Sequence, residues 1–492
     1  MAGTHPSPMA GPAQERFGPR LWGLLLVLAG NMLIDALEVS VAVVALPSIG
    51  TDLGLAPTGA QWAMTGFAVG FGGLMLFGTR VVNLLGRRRV YLGALLGFAV
   101  ASLLSAVAQE PWQLVATRLA KGFCAALTAP TGLAIISTAF PEGRPRARAI
   151  SVYTLFGAGG FTAGLLLSGW LTGHTWRLAF AFPAPVVLVL FAFGLRLVPE
   201  QTAPPGTPRR YDLLGAAAFT GALLALVSGI TALPGRGVSD PRAVGPLAAA
   251  AGLLVLFVLV ERSTADPLVD VRPLRSPALR RSALGAACLN GSYLGLLFVL
   301  TYQMQTAAGW SPLTSALALV PAAAPPALTA LSSGRLVARF GAPRLIAAGA
   351  ACAFAGYLLQ LRPSWPLDYV GRILPTLLLV GAGFVLSFAA LNMRATSQLA
   401  PAERGAASGL YQTAVQLAAA VAVAAVAALL AAADPGTTPA QAVSACRPAL
   451  VLVAVLGGAG LLVGLTGLTR SGASATATPS ATATGAPRAP RT

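Results

Sequence analysis

The chain has 492 residues, of which 56% are apolar and only 10% charged, against roughly a quarter charged in an ordinary soluble domain. So few charges cannot cover several globular domains, which excludes a soluble multidomain protein. The net charge of +18 would suit a nucleic-acid binder, but the basic residues are gathered in short connectors between apolar runs, and no nucleic-acid partner is expected.

Residues 1–20 read as a disordered tail. The apolar run that follows is too long for the hydrophobic core of a cleavable signal peptide. About fourteen runs of roughly 20 residues, each long enough to cross a bilayer as a helix, then take up nearly the whole chain. They lie near 21–47, 60–80, 90–108, 112–139, 150–172, 177–197, 212–233, 243–261, 282–307, 312–333, 344–361, 371–393, 405–432 and 447–468. The Ser/Ala/Thr/Pro stretch at 469–492 reads as a second disordered tail. The expected fold is an all-α polytopic membrane protein.

The two longest connectors, Pro199–Tyr211 and Glu261–Arg281, bracket the seventh and eighth runs. They divide the chain into a six-helix bundle (21–197), linker loops with two inserted helices (198–281) and a second six-helix bundle (282–468). Gly86-Arg87-Arg88-Arg89 after the second run is echoed by Gly341-Ala342-Pro343-Arg344 after the tenth. Such a weak repeat fits two pseudo-symmetric halves around a midplane site.

An even number of spans puts both termini on one side. Of the 33 basic residues, 25 fall in the tails and connectors of that side and 6 on the other. Positive charge marks the cytoplasmic face, so both termini are expected in the cytoplasm. The remaining two, Arg118 and Lys121, lie inside the fourth run, and Lys121 is the only lysine.

Of fifteen acidic residues, only Asp35 and Glu38 lie deep within a run. A charge at mid-bilayer costs at least about 2.5–3.5 kcal/mol, so it points to function and to a partner. Asn31, Asp35 and Glu38 follow i, i+4, i+7 spacing and share one helix face. At 1.5 Å per residue, Glu38 lies about 13 Å inside Pro47 and Asp35 about 18 Å. On the fourth run, Arg118 lies about 10 Å and Lys121 about 15 Å inside Pro111. Matched depths predict Glu38 beside Arg118 and Asp35 beside Lys121. Such a neutral four-residue cluster is either an ionic brace or a proton-coupling device, and weak net stabilisation by buried ion pairs favours the second. Burial disfavours the charged form of a carboxylate and a nearby base favours it, so a conformational change there would move a proton.

Other polar residues inside the runs are candidates for an amphipathic substrate cavity: Asn31 on the first, Tyr153 on the fifth, Asn290, Tyr293 and Gln305 on the ninth, and Gln412 on the thirteenth. The competing use of such residues is interhelical hydrogen bonding. The four cysteines and two histidines match no metal or redox spacing. No HExxH, nucleophile elbow or phosphate-binding loop occurs, so no metal, cofactor or enzymatic activity is expected.

Several motifs stand in order along the chain: Leu37-Glu38-Val39-Ser40-Val41 ending in Ala45-Leu46-Pro47, Gln61-Trp62, the stretch Gly78 to Arg89, Arg118-Leu119-Ala120-Lys121-Gly122, Gly164 to Gly169, Asp212-Leu213-Leu214-Gly215 and Pro401 to Gly409. Over about residues 21–468 the chain resembles the major facilitator superfamily, specifically its fourteen-helix drug:proton antiporter branch. The resemblance implies a gating loop at Gly78, Asn83, Gly86, Arg87 and Arg88, with Asn83 where the family has aspartate and Leu165 where its antiporter motif has proline. Glu38 stands where the family usually has aspartate, while Asp35 and Lys121 are additions to its pattern; proton coupling is expected at Glu38, Asp35, Arg118 and Lys121 from their depth and charge. The implied function is a secondary transporter of the bacterial cytoplasmic membrane, sufficient as a monomer, exporting small amphipathic drugs or antibiotic-like natural products in exchange for protons. Proton-coupled uptake of a metabolite, and a sensor or enzyme on the same fold, are the alternatives.

Overall fold

The computed structural model describes residues 17–200, 212–236, 240–264, 272–362, 364–400, 403–433, 436 and 438–476. Most of Pro199–Tyr211 and both terminal tails lie outside these residues. Fourteen described helices are long and apolar enough to cross a membrane. They are α1 (Pro19–Asp52), α2 (Trp62–Leu85, entered through a turn at Pro57–Ala60), α3 (Arg87–Ala106), α4 (Pro111–Ala139), α5 (Arg144–Thr172), α6 (Trp176–Leu197), α7 (Leu213–Arg236), α8 (Pro241–Ser263), α9 (Pro277–Ala307), α10 (Pro312–Thr329), α11 (Ala342–Gln360), α12 (Tyr369–Thr396), α13 (Arg404–Ala432) and α14 (Arg447–Thr476). The chain is a multi-pass membrane protein.

Three of the differences from the expected boundaries bear on the site and its surroundings. α1 runs past Pro47 to Asp52. A proline within a helix removes the donor to the carbonyl four residues back, a loss that membrane helices tolerate. The expected gating loop is helical through Leu85 and turns at the single residue Gly86. Gly86 has φ 86° and its counterpart Gly341 has φ 80°, a region that favours glycine. Lastly, α14 continues to Thr476, into the stretch read as a tail.

Neighbours reveal the symmetry. α1 packs on α5 as α9 packs on α13, α2 on α4 as α10 on α12, α3 on α4 as α11 on α12, and α3 on α6 as α11 on α14. Adding eight to each label of the first bundle gives the second. The bundles meet through α2–α13 and α5–α10, which exchange under the same operation. The inserted pair α7–α8 lies outside this pattern, with α7 against α13 and α2.

Apolar packing divides along the axis of α1. Its later part, Leu37 to Ile49, shares one buried core with α9–α14. Its earlier part, Leu24 to Ile34, belongs to a core made only of the first bundle. The bundles therefore share a core at the Pro47 end. Toward the Arg87 end the first bundle keeps a core of its own, and the bundles touch beside α7 and α8, where Leu76 of α2 and Leu410 of α13 join one small apolar cluster. At the fused end Arg177 pairs with Asp52 at 2.5 Å and donates to Ala108 O at 3.2 Å, tying α6 to α1 and to the α3–α4 turn. Gln305 Nε2 donates to Val44 O at 3.1 Å across the two bundles.

Small residues allow the close approaches. On α5, Gly160, Gly164 and Ser168 recur every four residues against α1, and Ser168 Oγ donates to Val41 O at 2.9 Å. Between α2 and α4, a Cβ at Gly70 would run into the Leu119 carbonyl, and one at Gly122 into the Phe67 carbonyl. Gly93 on α3, by contrast, faces open space. Gly70→Ala should lower stability by about 1–3 kcal/mol, as overpacking does, while Gly93→Ala should leave thermal unfolding in detergent unchanged. Equal melting temperatures for the two variants would contradict the packing described.

Candidate functional site

Glu38 of α1 and Arg118 and Lys121 of α4 have side chains with no solvent exposure. Arg118 Nη1 donates to Glu38 Oε2, Nη2 to the Glu38 carbonyl at 3.1 Å and Nε to the Ala63 carbonyl of α2 at 2.5 Å. Lys121 Nζ lies 2.5 Å from Glu38 Oε1. One carboxylate thus holds two cations, one on each oxygen. Aromatic faces complete the enclosure. The Arg118 guanidinium lies 5.0 Å from the Phe67 ring and 5.2 Å from the Phe180 ring. The Lys121 ammonium lies 5.1 Å from Phe98 and 5.6 Å from Phe180. Desolvated cation–π contacts of this kind contribute about 2 kcal/mol or more.

Asp35 is not paired with Lys121. Its Oδ2 accepts from Asn31 Nδ2 and from Thr128 Oγ1, both at 3.0 Å. The continuation of α1 explains the difference. Measured from Asp52 rather than Pro47, Asp35 lies about 26 Å down its helix. Thr128 lies at the same depth, about 26 Å from Pro111. The longer Arg118 and Lys121 side chains both end at Glu38.

Among the expected cavity residues, four have their polar groups engaged by protein. Asn31 bonds Asp35, Tyr153 Oη donates to Ala129 O at 3.0 Å, Asn290 Nδ2 donates to Val415 O at 3.2 Å, and Gln305 bonds Val44 O. The last three join helices, and the Asn31 bond lies within α1. Tyr293 instead lies between the bundles, its ring 5.8 Å from Phe161 of α5 and 5.0 Å from Phe384 of α12. Gln412 is half-buried on α13. A crevice between the bundles is lined by Val39, Met64, Phe67, Leu294, Gln416 and Val423. It therefore borders the ion triad through Val39, the residue after Glu38, and through Phe67.

Of the gating residues, Gly78 packs against the Ala126 carbonyl of α4. Arg88 pairs with Glu200 at 2.5 Å and donates to Leu195 O at 2.6 Å, joining the start of α3 to the end of α6. Arg87 begins α3 directly after Gly86. The Asn83 side chain lies outside the described residues. Among the described residues no cluster of His, Cys, Asp and Glu could hold a metal ion. Sequence reasoning missed Ala63, Phe67, Phe98, Phe180 and Thr128. Buried cations in a bilayer call for aromatic or carbonyl partners, but no spacing singles out which ones.

Residues 28–423 match the Major Facilitator Superfamily. The chain belongs to that superfamily. It is 36% identical over 436 residues to a puromycin resistance protein of Streptomyces alboniger, covering 86% of each chain. It is 33% identical over 393 residues to a cephamycin export protein of Amycolatopsis lactamdurans, covering 79% of this chain and 81% of that one. A peptide transporter crystallised with sulfate superposes with a TM-score of 0.66 over 92% of this chain and 94% of its own, at 16% identity. The last likeness is one of fold.

Removing one member of a buried ion pair costs about 3–5 kcal/mol because the other is left uncompensated. Glu38→Gln strands two cations and should lower thermal stability most. Lys121→Met leaves the Arg118 pair intact and should be milder. The double variant should be more stable than Glu38→Gln alone. Strictly additive losses in a double-mutant cycle would show that Glu38 and Lys121 are not coupled.

Proposed function

We propose that this transporter exports small amphipathic drugs or antibiotic-like natural products across the bacterial cytoplasmic membrane, by alternating access and in exchange for protons. The carrying observation is the ion triad, fully enclosed beside a crevice between two bundles that share their main core at one end. Ionised groups at such depth mark ion pathways and proton relays in membrane proteins. The relatives named for puromycin resistance and cephamycin export support the substrate class.

In this reading both termini and the Arg87 end face the cytoplasm, in keeping with the excess of arginine there. The first bundle's own core at that end would let it part from the second there, and the shared core at the Pro47 end is the external seal. Substrate enters between the bundles, against apolar walls and the Phe161–Tyr293–Phe384 rings, with Gln412 and Gln416 of α13 as polar anchors. Asp35, Glu38, Arg118 and Lys121 form the coupling site. Rocking of one bundle about the other changes what the α1 carboxylates face, and a proton is exchanged for the drug. A single chain suffices, since each of these residues lies within it.

Cells lacking their own exporters and expressing this chain should accumulate less puromycin, cephamycin or other members of a drug panel than control cells. An uncoupler should erase the difference. Glu38→Gln should abolish gradient-driven efflux while the protein remains in the membrane. Efflux that persists with the uncoupler, or that is unchanged in Glu38→Gln, would rule out this coupling, and no altered accumulation of any compound would rule out export.

A further inference from the structure

Asp35 and Glu38 lie one turn apart on the same face of α1, yet their surroundings differ in kind. Each Glu38 oxygen meets a cation, Oε2 from Arg118 and Oε1 from Lys121. A proton arriving there would leave buried cations without their counter-ion, a costly state. Asp35 meets no cation. Its Oδ2 accepts from two neutral donors, the Asn31 amide and the Thr128 hydroxyl. Its Oδ1 is buried and has no hydrogen-bond partner among the described residues.

The groups that face Asp35 come from four helices. α1 supplies Asn31 and Glu38. α3 supplies Tyr91, whose fully buried hydroxyl also has no partner among the described residues. α4 supplies Thr128 and Cys124, while the Lys121 ammonium on that helix is engaged by Glu38. α5 supplies Tyr153, whose hydroxyl is committed to Ala129 O. None of these offers Asp35 a positive charge. A buried acceptor without a donor is unfavourable, and a proton on Oδ1 removes the uncompensated charge while Oδ2 keeps both of its bonds.

We propose that Asp35 is the proton carrier and Glu38 a fixed ionic latch: the exchanged proton binds Oδ1 of Asp35, and Glu38 stays ionised between Arg118 and Lys121. The step makes and breaks one O–H bond, with the proton taken from water on one side and returned to water on the other. Nothing is oxidised or reduced. Asn31 and Thr128 are positioning residues that hold Oδ2 and leave Oδ1 free. The cycle in which the proton is used rests on the export reading above, but the site of protonation can be measured without any substrate.

The test is infrared difference spectroscopy of the purified full-length chain during pH titration. The carbonyl stretch of a protonated buried carboxylic acid should titrate in the wild type and shift in D2O. It should be lost in Asp35→Asn and retained in Glu38→Gln/Arg118→Gln/Lys121→Met, a triple variant that leaves no buried cation stranded. Thr128→Val should move its frequency or titration midpoint, which a merely structural role for Thr128 would not. A band that survives Asp35→Asn and vanishes in the Glu38 variant would overturn the assignment, and so would a wild type with no such band. In vesicles loaded with puromycin, Asp35→Asn should lose pH-driven accumulation while keeping puromycin exchange at equal pH. If no variant moves puromycin or any other drug but the infrared pattern holds, the export reading fails and the carrier assignment stands.

Discussion

One carboxylate shared by two cations, out of reach of water, is the constraint around which the first bundle is built. Three ionised groups in a bilayer are tolerable only if each is met by opposite charge, by carbonyl oxygen or by an aromatic face. Glu38 supplies the charge and its own carbonyl, Ala63 supplies a second carbonyl, and Phe67, Phe98 and Phe180 close the enclosure. These contributions come from α1, α2, α3, α4 and α6, so the bundle cannot loosen without exposing a charge. Gly66, Gly70 and Gly122 bring α2 and α4 close enough for the Arg118 side chain to reach the Ala63 carbonyl.

The second bundle repeats the helix arrangement without repeating the charges. At the corresponding place between α9, α11, α12 and α14 there is an apolar cavity lined by Gly285, Ser292, Ala353, Tyr357, Ser387 and Gly457, where Ser292 and Tyr357 hydrogen-bond each other at 2.9 Å. The ion triad is thus confined to one half of a pseudo-symmetric protein. Relative movement of the halves changes the surroundings of the α1 face, while the second bundle contributes mainly an apolar wall. The shared core at the Pro47 end, against the first bundle's own core at the Arg87 end, provides the asymmetry that such a movement would reverse.

The architecture was legible in the sequence because bilayer thickness fixes helix length and apolar content. All fourteen spans, the doubled six-helix plan and the inserted pair follow from run length and connectors. Glu38, Arg118 and Lys121 were legible as a group, since charges at that depth are rare. Their pairing was not. It depended on where α1 ends, and Pro47 resembles a helix end while the backbone carries on to Asp52. The slip of five residues places Asp35 level with Thr128 instead of Lys121. Likewise, the run of polar residues on α9 could be recognised as meaningful, but Asn290 and Gln305 bond backbone carbonyls of other helices. Only three-dimensional packing separates a residue that bonds a neighbouring helix from one, such as Tyr293, whose ring packs between the bundles.

Obligatory exchange of drug for proton at the α1–α4 charge site is the central claim. It is tested most directly in proteoliposomes that hold a pH-sensitive dye, with an outward drug gradient and no initial pH difference. Drug leaving down its gradient should draw protons into the lumen, and the dye should report acidification that disappears when the site is disabled by Asp35→Asn. Drug efflux from wild-type proteoliposomes with no change in luminal pH would contradict the claim.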